Sequence, residues 1–301
     1  MVFLWDEICR LLPDEIGKAV KELDPDRVRE ISLRTGRPVA ICADRLYFAD
    51  KNRLTISPAG CMPISSAAME RTLERICHGS VYAMRDSLVR GFISLDGGHR
   101  AGVCGKTVIQ KGEITHITDI SSISIRIAHQ IKGAADGVMS SITSPRLQNT
   151  LIISPPACGK TTLLRDIARQ LANERYMYRV GIVDERGEIA ASHRGTPQMD
   201  VGVLSDVYHL CPKAEGMSML LRSMSPQVVI TDEIGTKEDS DAILSLVNAG
   251  IKIICSAHAY GKEDLMQRSE TAPLLSRGVF ERIIVLSSRC GVGTVERIYQ
   301  V

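Results

Sequence analysis

The sequence lacks a surplus of charge: 37 Lys and Arg stand against 35 Asp and Glu in 301 residues. That balance argues against a strong polyanion-binding surface, though a basic patch on one face stays open. Also missing is any apolar run of about 18 residues, the length a membrane-spanning helix needs. The nine cysteines (9, 42, 61, 77, 104, 158, 211, 255 and 290) are odd in number and contain no C-x-x-C pair. A zinc ribbon and a disulfide framework are therefore disfavoured, and a reducing, cytoplasmic compartment is expected. Cys255, inside IKIICSA, reads as a small hydrophobe. No signal peptide is read in MVFLWDEICRLLPDEIGKAV, because Asp6, Glu7 and Arg10 interrupt the apolar stretch and no basic segment precedes it. The segment predicts instead a helix near residues 5–23, whose apolar stripe takes in Phe3, Leu4, Ile8, Leu11 and Leu12. That stripe packs on its own core or, alternatively, on a membrane or partner. Internal repeats and low-complexity tracts are absent.

What is present is an ordinary apolar content, 44% with a mean hydropathy of +0.02, enough for sizeable cores in two compact domains. Residues 1–135 read as a small α+β domain. Extended runs ISLRTGRPVAICA and RLYFAD surround turn chemistry at Thr35-Gly36-Arg37-Pro38. A second helix over 66–77 carries Met69, Leu73 and Ile76 at helical spacing. Hairpins follow around Asp96-Gly97-Gly98 and Lys111-Gly112, and SSISIRIAHQIKG reads as the last strand and exit. From residue 136 to 301 the pattern changes. Apolar runs LIIS, VGIVD, VVITDE, IKIICSA and RIIVLSS alternate with helix-length amphipathic segments such as TLLRDIARQLANE. Strands of that kind are buried on both faces, so an α/β domain with a mostly parallel, RecA-like sheet is expected, carrying a P-loop NTPase site.

The site is read from SPPACGKT. It fits the phosphate-binding form G-x-x-x-x-G-K-[ST] at Gly159-Lys160-Thr161, with Ser154 where the first glycine is usual. Ser154, Pro155, Pro156, Ala157, Cys158, Gly159, Lys160, Thr161 and Thr162 are the expected ATP-binding residues. Gly159 lets the backbone approach the phosphates, and amides at a helix N-terminus make the anion cradle. Lys160 would reach the β- and γ-phosphates, and the Thr161 hydroxyl would ligate Mg²⁺. Cys158, at that helix start, reads as a small loop residue. In VVITDE, Asp232 is expected to hold Mg²⁺ at a strand tip and Glu233 to polarise the attacking water; a helix cap is the bland alternative. Asp184-Glu185-Arg186 ends another strand. There Asp184 could ligate the metal and Glu185 position water, or the carboxylates could pair with Arg186. His258 ends IKIICSAH, either as a γ-phosphate sensor or as a packed histidine.

Four segments in this order, LIISPPACGKTT, VGIVDERGEIA, LRSMSPQVVITDEIG and IKIICSAHAY, resemble the secretion (traffic) ATPase superfamily of secretion systems and pilus motors. They stand where that family has its P-loop, Asp box, Walker B and His box. Gln227 departs from a usual Asp, and Asp232-Glu233 replaces a usual Gly-Glu. Nearly the whole chain, including VYAMRDSLVRGFISLDGGHRAGVCGK, is most similar to the branch of that family found in endospore-forming bacteria. The resemblance implies a homohexamer in the cytoplasm at the base of a membrane channel, with a membrane-embedded partner subunit. It further implies arginines acting in trans on ATP, for which Arg85, Arg90, Arg100 and Arg126 are candidates and Arg100 with Arg126 the preferred pair. A nucleic-acid-remodelling ATPase is the alternative. The neutral charge, and a chain expected to carry no module after Val301, weigh against it, so no nucleic acid is expected. An ATP-dependent switch with little turnover is the third reading.

Overall fold

The computed structural model describes residues 2–89, 91–268 and 270–301, with the backbone only for residues 2–4, 86 and 262. The chain divides into two compact units, Met1–His129 and Gln130–Val301. The expected boundary lay six residues later. Segment 130–135 belongs with the second unit because the Gln130 side chain donates to the Asp200 carbonyl at 2.7 Å, Lys132 pairs with the Asp200 carboxylate and the Ala135 amide donates to buried Asp166.

The first unit contains strands β1 (Glu30–Arg34), β2 (Val39–Cys42), β3 (Leu46–Asp50), β4 (Arg53–Thr55), β5 (Phe92–Ser94), β6 (Arg100–Gln110) and β7 (Glu113–Arg126). They form one antiparallel sheet in the order β4-β3-β2-β1-β7-β6-β5. Helices α1 (Val2–Leu11), α2 (Asp14–Lys21), α3 (Ser66–Ile76) and α4 (Arg85–Val89) complete the unit. Its core joins Trp5, Ile8 and Leu12 to Ile31, Leu33, Met69, Ile123 and Ile125.

Two expectations change here. The helix near 5–23 is two helices, because Pro13 disfavours helical backbone at Leu12 and itself takes ψ 140° before α2. Arg75 of α3 stabilises the break by donating to the carbonyls of Arg10 and Leu12 and pairing with Asp14. Phe3 and Leu4 of the expected stripe lie outside the described side chains. The second change concerns β7, which runs unbroken for 14 residues, so the second hairpin's return strand and the last strand are one.

The second unit contains β8 (Thr150–Ser154), β9 (Val180–Asp184), β10 (Ser205–His209), β11 (Val228–Thr231), β12 (Lys252–His258), β13 (Arg282–Ser287) and β14 (Thr294–Gln300). Their order is β10-β9-β11-β12-β8-β13-β14, parallel throughout except for β14 at the edge. Helices α5 (Asp136–Thr143), α6 (Lys160–Leu171), α7 (Lys213–Ser223), α8 (Lys237–Asn248), α9 (Lys262–Met266) and α10 (Ala272–Ser276) accompany it. Successive residues of a strand point to opposite faces. Accordingly Ile152 of β8 joins one core with Leu164 and Ile167 of α6, while Leu151 and Ile153 join another with Leu220 and Ile243. Both faces of the sheet are therefore covered, as the continuous apolar runs require. The architecture is α/β, with a smaller α+β unit ahead of it. Among the described residues no helix is long and apolar enough to cross a membrane.

Candidate nucleotide site

Parallel strands release their carboxyl ends at one edge of a sheet, and here that edge collects the expected chemistry. β12 lies between β8 and β11, with His258 in register with Ser154. The loop after β8, the tip of β11 and the tip of β12 thus enclose one cleft of about 470 Å³. Residues 156–162 line it, together with Arg186, Glu188, Glu233, His258 and Val292.

Gly159 supplies the bend into α6. Its φ is +90°, and a Cβ there would stand 3.2 Å from the Gly293 backbone. Glycine is required on both counts. Ala157 also has positive φ (59°), whereas Ser154 does not. Serine therefore serves at the loop's first position as the last residue of β8, and its hydroxyl has a use. The Lys160 ammonium has four acceptors for its three protons: Ser154 Oγ at 3.2 Å, the carbonyls of Ser154 and Pro155 at 3.3 Å each, and His258 Nδ1 at 3.0 Å. Burial lowers the Lys160 pKa, against an opposing pull from Glu233. Pro156 accepts from the buried Cys158 thiol at 3.5 Å, and Thr161 and Thr162 follow half-buried in the first turn of α6.

Lys160, His258 and Glu233 form a chain. The imidazole Nε2 lies 2.9 Å from Glu233 Oε1. An ammonium donating to Nδ1 leaves the imidazole proton on Nε2, from which it donates to the carboxylate. The other Glu233 oxygen accepts from Arg186 at 2.6 Å. Glu233 itself has φ 31°, a strained backbone of the kind concentrated at functional sites. The strain is held by Ser256, whose hydroxyl accepts from the Glu233 amide and whose carbonyl accepts from Ile234. Ser256 was not anticipated, yet it lies two residues before His258, hence on the same face of β12.

Asp232 is almost fully buried, and its Oδ1 has no hydrogen-bond partner. Burial, and then the neighbouring Asp184 charge, push its pKa up to about 7. An orphaned, destabilised carboxylate suits a cation, so the residues present fit a magnesium ion held through Asp232. Asp184, in contrast, already has backbone partners. It is fully buried, with Oδ1 accepting from the Glu188 and Ile189 amides and Oδ2 from Ala190. Three backbone amides converge on its carboxylate, which thereby folds the loop after β9. Glu185 pairs with Lys213 at the start of α7, and Arg186 reaches Glu233 and not the Asp184 carboxylate. Gln227, the departure before the β11 strand, accepts from the Arg179 amide at 3.0 Å and so ties the start of β11 to that of β9.

The family described as sporulation stage III, protein AA matches residues 5–301. The chain belongs to the stage III sporulation protein AA family. It is 38% identical over 300 residues to stage III sporulation protein AA of Bacillus subtilis strain 168, covering 98% of this chain and 94% of that one. Two solved structures share the fold of this family member. The Legionella pneumophila ATPase DotB has a TM-score of 0.56 at 18% identity, covering 86% of this chain and 72% of that one. The pilus retraction motor PilT, solved with bound ADP, has a TM-score of 0.55 at 17% identity, covering 86% and 74%.

The candidate arginines of this stage III sporulation protein AA family member lie in its first unit. Arg100 and Arg126 are directly opposite one another across β6 and β7, and Arg126 is also opposite Glu30 of β1, 3.8 Å from its carboxylate. Arg100 stacks over Phe92 at 5.1 Å, and Arg85 donates to the Thr115 carbonyl. Arg90 lies outside the described residues.

Proposed function

We propose that the chain is a magnesium-dependent ATPase that powers or assembles a channel between mother cell and forespore during endospore formation. It would act as a homohexamer at the cytoplasmic face of a membrane, against a membrane-embedded partner subunit. The observation that carries the reading is the Lys160–His258–Glu233 chain, which links the start of α6 to the tips of β12 and β11 inside one cleft. The fold shared with the ATPase DotB and the motor PilT supports it, as does membership of a sporulation family.

In this reading the amides at the start of α6 receive the phosphates. Lys160 leaves the Ser154 and Pro155 carbonyls and turns to the β- and γ-phosphate oxygens. Glu233, released from Arg186, takes a proton from the water that attacks the γ-phosphorus as the bond to ADP breaks. His258 holds Glu233 at its Oε1 and senses whether Lys160 is on its carbonyls or on phosphate. Glu185 steadies the start of α7 through Lys213. Bound magnesium, held by Thr161 and Asp232, would neutralise charge developing on the phosphate oxygens.

Two variants test this. Lys160→Ala should abolish ATP binding or turnover, and wild-type hydrolysis in the purified variant would refute the assignment. Glu233→Gln should retain ATP binding while hydrolysis falls by about a hundredfold or more; loss of binding in a folded variant would make Glu233 structural.

A further inference from the structure

The P-loop has two parallel neighbours. On one side β12 and β11 supply His258, Glu233 and Asp232. On the other β13 runs parallel to β8 and ends at the same edge, turning through residues 288–293 into β14. That turn meets the loop directly: the Gly293 Cα and nitrogen and the Val292 Cγ1 lie 3.2–3.3 Å from where a Gly159 Cβ would be. The turn is tied internally. Gly291 donates to the Ser288 carbonyl, and Thr294 returns both its amide and its hydroxyl to the Gly291 carbonyl. Val292 therefore stands on a fixed support, 73% exposed, and lines the cleft.

The cleft is chemically polarised along this axis. Outside the loop its described lining is Arg186, Glu188, Glu233 and His258 toward β9, β11 and β12, and a lone apolar side chain, Val292, toward β13. If Glu233 handles the water, as proposed above, the γ-phosphate end of a nucleotide lies toward β11 and β12. The nucleoside then leaves the loop on the β13 side, where the exposed valine is. An apolar group held open to water beside a phosphate cradle has an apolar ring as its natural complement, because covering both removes apolar surface from water.

We propose that the β13–β14 turn is the nucleoside-binding wall of this site, with Val292 packing against the purine base. Val292 is thus a specificity-determining residue that favours a nucleoside triphosphate over a bare polyphosphate. The inference rests on the nucleotide reading of the cleft, and the test separates the two. Binding of Mg-ATP and of inorganic tripolyphosphate is measured by calorimetry on the full chain, for wild type, Val292→Asn and Val292→Leu. The Asn variant, neutral and at an exposed position, should bind ATP about fivefold to tenfold more weakly while tripolyphosphate changes by less than about twofold. The Leu variant should bind ATP within about twofold of wild type. Unchanged ATP affinity in Val292→Asn, or equal loss of both ligands, would overturn the nucleoside wall. Wild-type protein that binds neither ligand would overturn the nucleotide reading itself.

Discussion

At the scale of single residues, the site shows how one strand tip can hold two carboxylates in opposite environments. Glu233 is half-exposed and fully partnered, while its neighbour Asp232 is buried with an orphaned oxygen. The cost of that orphan depends on pH. Unfolded, the Asp232 carboxyl loses its proton near 3.8; folded, it keeps it to about 7. Between those values the folded state binds the extra proton, so this residue's contribution to stability is intact below pH 3.8 and is lost as pH rises toward 7. Asp232→Asn removes the dependence. The ligand-free variant should therefore be more stable than wild type at pH 8, on the order of 4 kcal/mol, with a smaller gap at pH 5. Thermal melts at the two pH values check this, and a gap independent of pH would reject the buried-charge account. Added magnesium and ATP should narrow the gap at pH 8 by stabilising the wild type alone. The pairing at the site was partly legible in the sequence: acidic and histidine residues at strand ends share an edge whenever the strands are parallel. What was not legible is the difference in their surroundings, since Asp184 and Asp232 both end buried strands. Three amides fold back onto Asp184, while Asp232 Oδ1 is left without a partner.

At the scale of elements, the continuous apolar strands were the most readable feature, because burial on both faces leaves no alternation to misread. β10 was not read, since SDVYH sits at the sheet edge, half-exposed, and carries no apolar run. The break at Pro13 was readable from the proline alone; its stabiliser, Arg75, lies more than sixty residues away and was not. Helix α7 shows a further dependence on small residues. A Cβ on Gly216 would come within 2.5 Å of Val183 Cγ1, and one on Gly181 of β9 within 2.7 Å of Leu220 Cδ1. The two glycines let α7 lie close on β9, which brings Lys213 to Glu185. Gly216→Val should force the pair apart and cost about 1–3 kcal/mol in urea denaturation. In the first unit, Lys111 and Gly112 both have positive φ (52° and 84°), the twist a two-residue hairpin needs. Lys111→Asn, better suited to that backbone, should stabilise the protein by up to about 1 kcal/mol in the same assay. A destabilised Lys111→Asn variant would mean that the lysine side chain has a role of its own.

At the scale of the whole molecule, the question is what completes the cleft. Among the described residues of the second unit, Lys160, held on carbonyls and His258, and Arg186, held on Glu233, are the Lys and Arg side chains that line it. Both have partners they must leave before they can meet a triphosphate. In a ring, a neighbouring subunit would offer a further positive charge, and the first unit carries an unusual one. Arg100 and Arg126 are directly opposite each other, an arrangement that costs stability between like charges on a sheet unless an anion offsets it. Glu30 supplies an anion to Arg126 from the next strand, and its own pKa is lowered first by Ser32 and then, among other causes, by Arg126. A phosphate presented by another subunit would be a further partner for Arg126. If so, an Arg126→Ala protein would have intact loops but defective donors, and a Lys160→Ala protein the reverse. Each alone should hydrolyse ATP at no more than about a tenth of the wild-type rate. Mixed in equal amounts, the two should recover activity, because some interfaces then pair an intact loop with an intact arginine. Recovery should grow with total protein concentration as subunits associate. Activity that stays at the level of the separate variants at every mixing ratio would place Arg126 outside the reaction and leave Glu30 as its whole purpose.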